Sequence, residues 1–167
     1  ISKAEKIEVT LNNNEKYIYI TTPYLICDNE LLNALRLASK RGVDVRIITP
    51  HIPDKKAIFL MTRSNYYNLI KDGVKIYEYT PGFIHAKSFI CDDNLCNVGT
   101  INMDYRSFYH HFECSTLVYN SNAVMNLKKD FFDTLDSCKQ ITLEELKRYN
   151  IFTKLVVKIL KLFAPLM

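Results

Sequence analysis

The sequence has no tryptophan, and only four glycines and five prolines occur among its 167 residues. This scarcity of glycine and proline excludes a collagen-like or low-complexity chain, because such chains are dominated by these residues. The chain also lacks a Cys-x-x-Cys pair, and its cysteine count of five is odd. That pattern argues against a disulfide framework and against a cysteine-based metal site. We therefore expect a globular protein with reduced thiols, no metal and no cofactor.

The sequence begins Ile1-Ser2-Lys3, without a starting methionine and without an apolar signal region. We interpret this beginning as that of a piece of a longer protein. No basic run with interleaved aromatic residues is present, and the net charge is only +4. This charge suits an anionic substrate or an anionic membrane surface, and we expect no nucleic-acid partner. The length and the 48% hydrophobic content fit one domain with a sizeable core.

Strands and helices alternate through the first half of the chain. Runs of β-branched and aromatic side chains predict three strands, at residues 17–22, 43–49 and 74–79. A helix is predicted between the first two strands, with Asp28 as its N-cap and Gly42 at its end. A second helix is predicted over residues 54–72, before Gly73. This alternation implies parallel strands joined by right-handed crossovers.

The pattern changes after residue 83. Three strands with short connections and no helices between them are predicted, at residues 84–91, 95–101 and 112–119. A further helix is predicted over residues 121–137, and another after Thr142, which forms a capping box with Glu145. The predicted fold class is α/β, with one mixed sheet that is parallel first, antiparallel afterwards and flanked by helices.

The last residues, 151–167, form a predicted cationic amphipathic helix after a domain that spans residues 1–150. On a helix, Lys154, Lys158 and Lys161 lie in one stripe roughly 60° wide. A segment this short with three lysines is a poor membrane span. It suits a helix that lies on an anionic membrane surface, and we favour a membrane or partner surface over a helix simply docked on the domain.

One stretch combines six residues at fixed spacing: His85, Lys87, Asp92, Gly99, Thr100 and Asn102. In a strand, alternation would place His85, Lys87 and Phe89 on one face. An imidazole and an ammonium on one strand face suit a phosphate better than a core. Lys87 supplies a point charge, while Thr100 and Asn102 supply neutral donors. His85 is the group able to attack phosphorus or to move a proton near neutral pH.

This spacing resembles the HKD signature of the phospholipase D superfamily, and all six positions are met. The resemblance extends to bacterial cardiolipin synthases through six further stretches: Thr22–Tyr24, Arg41–Pro50, Gly73–Phe83, Gly99–Ser107, Phe112–Glu113 and the end of the chain, Leu160–Leu166. It covers nearly all of the chain and corresponds to the C-terminal half of such an enzyme. The resemblance therefore implies a phospholipase D-like catalytic domain with one HKD motif in residues 1–150.

The resemblance also implies a mechanism. Two HKD motifs face each other; one histidine forms a phosphohistidine, and the other protonates the leaving alcohol and then activates the acceptor alcohol. In a cardiolipin synthase, one phosphatidylglycerol gives its phosphatidyl group to another and glycerol leaves. No metal is needed. Such an enzyme would act at the cell membrane, on its cytoplasmic face.

The roles implied for single residues follow from the same resemblance. The catalytic residues would be His85, Lys87, Asp92 and Glu113, with Thr100 and Asn102 binding the phosphate. Glu113 would orient His85 by accepting from the ring nitrogen that does not attack. Asp92 would be mainly structural, paired with backbone donors or with a cation, for which Arg106 is a candidate.

Only one HKD motif is present, since His51 is followed by Ile52 and Pro53. The second half is therefore either elsewhere in a full-length chain or supplied by a second copy. Three hypotheses remain: the C-terminal half of a cardiolipin synthase acting on phosphatidylglycerol, a homodimeric phosphodiesterase or nuclease, and a lipid-binding half-domain that is inactive alone. The lipid-like tail and the extent of the resemblance favour the first.

Overall fold

The computed structural model describes residue 7 and residues 13–147, 151–162 and 164. Its strands are β1 (Tyr17–Thr21), β2 (Leu25–Ile26), β3 (Asp44–Pro50), β4 (Lys75–Tyr79), β5 (Ser88–Cys91), β6 (Leu95–Gly99), β7 (Met103–Asp104), β8 (Ser115–Tyr119) and β9 (Cys138–Gln140). Its helices are α1 (Asn29–Lys40), α2 (Lys56–Lys71), a π-helical turn (Arg106–His110), α3 (Asn122–Leu135), α4 (Leu143–Lys147) and α5 (Ile151–Leu162). One sheet has the order β8-β6-β5-β1-β3-β4-β9, and a small second sheet pairs β2 with β7. The predicted α/β class with a mixed sheet is confirmed.

The first half of the chain builds the parallel part of the sheet, as predicted. β3 pairs in parallel with β1 on one side and with β4 on the other. The Asp28 side chain caps α1 by accepting the Leu31 N–H at 2.9 Å. Gly42 and Gly73 follow α1 and α2 with φ of 96° and 99°, a conformation in which glycine is the least strained residue. Local signals therefore fix where these two helices stop.

The antiparallel part of the sheet is shorter than predicted. Strand β5 begins at Ser88 rather than at residue 84, because Ser88 pairs with Thr21, the last residue of β1. Because β1 ends at Thr21, the residues before Ser88 have no β1 residue to pair with, and His85 and Lys87 lie in a loop. The prediction that they project from one strand face is wrong. Strand β8 likewise begins at Ser115, opposite Gly99 at the end of β6, which leaves Glu113 in the segment before β8.

The core has a layer on each face of the large sheet. Helices α1 and α2 cover one face, where Ile18, Ile47 and Ile76 are fully buried. Helix α3 covers the other face, where the ring of Phe131 stacks on Tyr19 with centroids 4.9 Å apart. Strand β1 is therefore buried on both faces, which explains its unbroken apolar and aromatic sequence.

Free cysteines are buried in both core layers. Cys91 in β5 and Cys96 in β6 are both buried, as expected of cysteines that act as small hydrophobic residues. Burial raises the pKa of Cys91 to about 12, so its thiol stays protonated at neutral pH.

Four short elements of the described chain were not predicted: β2, β7, β9 and the π-helical turn. The strands among them contain only two or three residues, too few to show an alternating pattern. They exist because distant segments pair with them, as when β9 adds antiparallel to the β4 edge. The capping box that begins α4 is present, with reciprocal hydrogen bonds of 3.4 Å between Thr142 and Glu145.

Helix α5 lies against α2, and Lys161 Nζ donates to Asn65 Oδ1 at 3.0 Å. Two apolar side chains of α5, Ile159 and Leu162, are 51% and 78% exposed, and Lys158 is exposed as well. The side chain of Lys154, one member of the predicted lysine stripe, lies outside what the structure describes. Residues 163 and 165–167 also lie outside the described residues. Within the described ranges, the structure contains no helix with the length and apolar character that a membrane crossing requires.

Candidate active site

Five of the six predicted site residues, all except Asp92, converge at one edge of the large sheet. The C-terminal ends of β1, β3 and β4 lie at this edge, and the antiparallel β5 starts there. His85 and Lys87 precede β5, while Thr100 and Asn102 follow β6, its neighbour. In open α/β sheets this edge is the usual place for a ligand.

A cleft of about 630 Å³ opens at this edge, within the range of small-molecule sites. Four predicted site residues line it: His85, Lys87, Thr100 and Asn102. The facing wall is one side of α3: Leu127, Asp130, Phe131 and Thr134. In the described part of the chain, no group of three or more His, Cys, Asp and Glu side chains is arranged to hold a metal ion. The cleft thus combines one imidazole, one ammonium and neutral polar groups with a mixed wall, in which two apolar side chains stand beside the Thr134 hydroxyl and the Asp130 carboxylate.

The imidazole of His85 is exposed at the mouth of this cleft. Its ring packs against Phe83, with centroids 5.7 Å apart, and Tyr24 lies on the other side of Phe83 at 6.3 Å. Among the described residues, neither ring nitrogen of His85 takes part in a hydrogen bond. Both nitrogens are therefore open to a substrate or to a partner chain.

Lys87 is half-buried behind His85, and its Nζ donates to the backbone carbonyl of His85 at 2.6 Å. Burial lowers the pKa of the Lys87 ammonium, and the nearby carboxylates of Glu113 and Asp104 oppose that shift. The Lys87 carbonyl accepts the Gly99 N–H at 3.2 Å, which joins the two halves of the motif. One positive charge is thus fixed beside the imidazole.

Glu113 binds Thr100 rather than His85. The Thr100 hydroxyl donates to Glu113 Oε2 and accepts the Cys114 N–H at 3.0 Å. A hydroxyl has one proton, so while it is directed at Glu113 it cannot be donated to a phosphate. This arrangement differs from the orientation of His85 by Glu113 that the resemblance implied.

Gly99 makes the contact between Thr100 and Glu113 possible. A Cβ atom at position 99 would lie 2.4 Å from the Cys114 carbonyl oxygen and from Ser115 Cβ. Such distances are far inside van der Waals contact, so only glycine permits this approach of β6 to β8. The glycine of the motif therefore has a steric purpose.

Asp104 and Ser107 belong to the site, although sequence reasoning gave neither a role. Ser107 donates its N–H to Asp104 Oδ1 at 2.8 Å, and its hydroxyl accepts the Asn102 N–H at 3.0 Å. Burial raises the pKa of Asp104, while hydrogen bonds from Ser107 and Asn102 oppose the rise and Glu113 adds to it. The spacing Asp104-x-x-Ser107 is that of a helix N-cap, the signal that could have revealed this pair.

The backbone of Asn102 is held in place by this network through its N–H. The Asn102 side chain lies near Asp104 and helps to lower the pKa of that carboxyl, while Asn102 Oδ1 is buried without a hydrogen-bond partner among the described residues. A buried acceptor without a donor is costly, and such groups concentrate where a ligand or water binds. Asn102 Oδ1 is thus a buried acceptor at the cleft that is available to a ligand donor or a water.

Asp92 lies at the other end of β5, in the turn to β6. Its carboxylate accepts the N–H groups of Glu15, Lys16 and Tyr17 at 2.8, 3.0 and 2.9 Å. Seven residues separate it from His85, and an extended chain of that length spans roughly 20 Å. Asp92 therefore fastens the start of β1 through backbone donors, one of the two kinds of partner that we expected. The other candidate partner, Arg106, lies in the π-helical turn.

Residues 7–135 match the family model described as "Cardiolipin synthase, PLD-like domain". The chain belongs to this family. A protein of Streptococcus mutans is 51% identical to it over 157 residues, and a cardiolipin synthase of Clostridium perfringens is 40% identical over 157 residues. Both alignments cover 94% of this chain, but only 34% and 33% of those proteins. The chain therefore spans about a third of the length of the curated relatives it matches.

The fold of this family member is that of a solved phospholipase D protein. The crystal structure of Nuc from Salmonella typhimurium, a phospholipase D family member, superposes with a TM-score of 0.72 at 16% sequence identity. The superposition covers 82% of this chain and 89% of that one. At this identity the likeness concerns the fold alone, and it confirms the predicted phospholipase D-like architecture.

Proposed function

We propose that the chain is the catalytic C-terminal half of a cardiolipin synthase. It would transfer a phosphatidyl group from one phosphatidylglycerol to another and release glycerol. The observation that carries this proposal is the cleft at the sheet edge, where His85, Lys87 and Asn102 meet. The cardiolipin synthase relative that is 40% identical over 94% of the chain supports the choice of substrate.

The proposed reaction has two displacements at one phosphorus. A nitrogen of the attacking imidazole bonds to phosphorus while the bond to the glycerol oxygen breaks, and the second imidazole gives that oxygen a proton. The second imidazole then takes the proton from the acceptor hydroxyl, whose oxygen attacks the phosphohistidine and frees the first imidazole. His85 would be one of these two groups.

Lys87 and Asn102 would stabilise the charge on the phosphoryl oxygens. Lys87 lies beside His85, and the Asn102 side chain, which carries two amide N–H donors, lines the same cleft. Donors fixed before the reaction stabilise the transition state without having to reorganise. Thr100 would contribute indirectly, since its proton is directed at Glu113.

The reaction requires a second imidazole, which a second HKD half would supply. The curated relatives are about three times as long as this chain and have room for such a half. The antiparallel edge also has apolar side chains that a second half could cover: Val98, Phe112, Leu117 and Tyr119 are 47%, 107%, 60% and 66% exposed.

An anionic membrane surface is the second proposed partner. The apolar residues Ile159 and Leu162 are exposed on α5, and Lys158 is exposed beside them. Exposed apolar side chains flanked by lysine favour an interface with anionic headgroups. We infer that α5 lies on the cytoplasmic face of the cell membrane, where the lipid substrate is reached.

The proposal is tested by incubating the full-length protein with labelled phosphatidylglycerol and following cardiolipin and glycerol. We expect both products from the wild type, and a loss of at least about 10³-fold in His85→Ala, which lacks a reacting group. Lys129→Ala is the matched surface control, because Lys129 is exposed on α3 and pairs with Asp133. The proposal is overturned if the wild type makes no cardiolipin or if His85→Ala retains synthesis.

A homodimeric phosphodiesterase is the alternative, and it is kept because the superposition covers 89% of the Nuc chain, so a solved chain of this fold is about as short as this one. In that case the isolated 167-residue chain would form a dimer and cleave a simple phosphodiester or single-stranded DNA. Under our proposal the isolated chain binds anionic vesicles but turns over neither lipid nor nucleic acid. Sedimentation of the chain, combined with both assays, separates the two alternatives.

A further inference from the structure

A second histidine lies at the same edge of the sheet as His85. His51 directly follows β3, and its backbone N–H donates to the Tyr79 carbonyl at the end of β4 at 3.0 Å. Its side chain is 46% exposed, while Nδ1 lies 2.8 Å from Glu78 Oε2. One side of the ring is therefore held by the protein, and Nε2 is left as the outer nitrogen.

The carboxylate that holds this ring is buried completely. Glu78 is 0% exposed, and Oε1 pairs with Arg63 Nε from α2 at 2.9 Å. A buried carboxylate without a cation is strongly destabilising, so Arg63 is the partner that balances its charge. Arg63 therefore supplies a positive charge to Glu78 independently of the imidazole at position 51. A buried carboxylate bound to Nδ1 does, however, fix the orientation of a histidine whose Nε2 acts on something else.

His51 and His85 border the same surface. Strands β3 and β5 lie on either side of β1, so their ends are two strand spacings apart, roughly 10 Å. A chain of contacts leads from the loop after β3 to His85: the Tyr24 hydroxyl donates to Asp54 at 2.5 Å, and the Tyr24 ring packs on Phe83. Phe83 in turn packs on His85. A separation of two strand spacings suits a polar headgroup lying along these strand ends.

We propose that His51 binds a glycerol hydroxyl of the acceptor lipid, which donates a hydrogen bond to Nε2. With Nδ1–H donating to Glu78, Nε2 presents a lone pair, which matches a hydroxyl donor. This inference rests on the proposed function and deepens it by assigning an acceptor subsite. Water competes with the acceptor alcohol for the phosphohistidine, so a residue that holds the glycerol group favours transfer over hydrolysis.

The substitution His51→Asn in the full-length protein separates binding from structure. The asparagine amide nitrogen takes nearly the place of Nδ1 and can still donate to Glu78, but nothing replaces Nε2. With labelled phosphatidylglycerol, the ratio of cardiolipin to phosphatidic acid measures transfer against hydrolysis. We expect this ratio to fall about fivefold, the effect of one neutral hydrogen bond. Glycerol release and the melting temperature should remain those of the wild type.

The matched control is Ile52→Ala, which changes the next side chain of the same loop, itself 49% exposed. It should keep the wild-type ratio. An unchanged ratio in His51→Asn would mean that His51 only ties the loop to Glu78 and would overturn the inference. An equal fall in Ile52→Ala would also overturn it, because loop shape would then be the cause. A wild type that makes no cardiolipin overturns the proposed function as well, whereas a wild type that makes it with an unchanged His51→Asn ratio overturns this inference alone.

Discussion

The parallel part of the sheet and its antiparallel edge use their side chains in opposite ways. All five residues of β1 are buried, whereas four of the five residues of β8 are exposed. Strand β1 lies between two strands and under helices on both faces, while β8 has one neighbour and ends the sheet. The first region is a scaffold whose sequence is dictated by packing. The second supplies Glu113 and the contact with Thr100, and its outer surface remains open.

The largest expected contrast between these regions is in stability. Leu35→Ala removes a fully buried side chain of α1 and should cost about 3 kcal/mol of unfolding free energy. Leu117→Ala makes the same change on β8, where the side chain is 60% exposed, and should cost less than about 0.5 kcal/mol. Urea unfolding of the chain measures both. Equal losses would contradict the division into scaffold and open edge.

The variants Leu35→Ala and Leu117→Ala also test whether β8 is covered in the full-length protein. If a second half covers β8 in the full-length protein, Leu117→Ala should cost clearly more there than in the isolated chain. If Leu117→Ala costs equally little unfolding free energy in both proteins, β8 is not covered in the full-length protein. That result would contradict the proposal that a second half packs on this strand.

A smaller effect is expected where the two regions are joined. Asp92→Asn weakens the bonds from three backbone N–H groups at the start of β1 and should cost about 2 kcal/mol, since the charged acceptor is lost. Asparagine tolerates the φ of 49° at this position, so backbone strain does not contribute. Asp133→Asn on the exposed face of α3 is the control and should be almost silent.

Activity distinguishes the two roles considered for Asp92. If it only fastens β1, the folded full-length variant should keep its kcat. A fall in kcat of more than about tenfold at wild-type stability would return Asp92 to the catalytic residues.

The smallest expected effect concerns the antiparallel edge alone. Thr100→Val removes the hydroxyl that bonds to Glu113 and leaves that carboxylate without its donor. We expect kcat for cardiolipin synthesis in the full-length protein to fall about tenfold, because a charged hydrogen bond at the cleft is lost. Thr100→Ser keeps the hydroxyl and should recover most of the activity. Equal losses in both variants would contradict this assignment, because the hydroxyl that serine keeps would then not restore activity.

Prediction from sequence succeeded for the scaffold and partly failed at the edge for one reason. Helix α1 and its ending at Gly42 depend on residues that are neighbours along the chain. The start of β5 depends on where β1 ends, far away in sequence, so Ser88 could not be identified as its first residue. Likewise, the sequence placed Glu113 in the site but could not identify Thr100 as its hydrogen-bond partner.

The sequence by itself determined the alternation of helices and strands, the stops at Gly42 and Gly73, and the spaced set from His85 to Asn102. Each of these features depends only on local periodicity or on fixed spacing along the chain. Only the tertiary structure decided that Asp92 lies at the far end of β5 and that His51 is held by the buried Glu78. The physical reason is that sheet register and strand ends determine which distant side chains meet, and both are set by pairing between segments rather than within them.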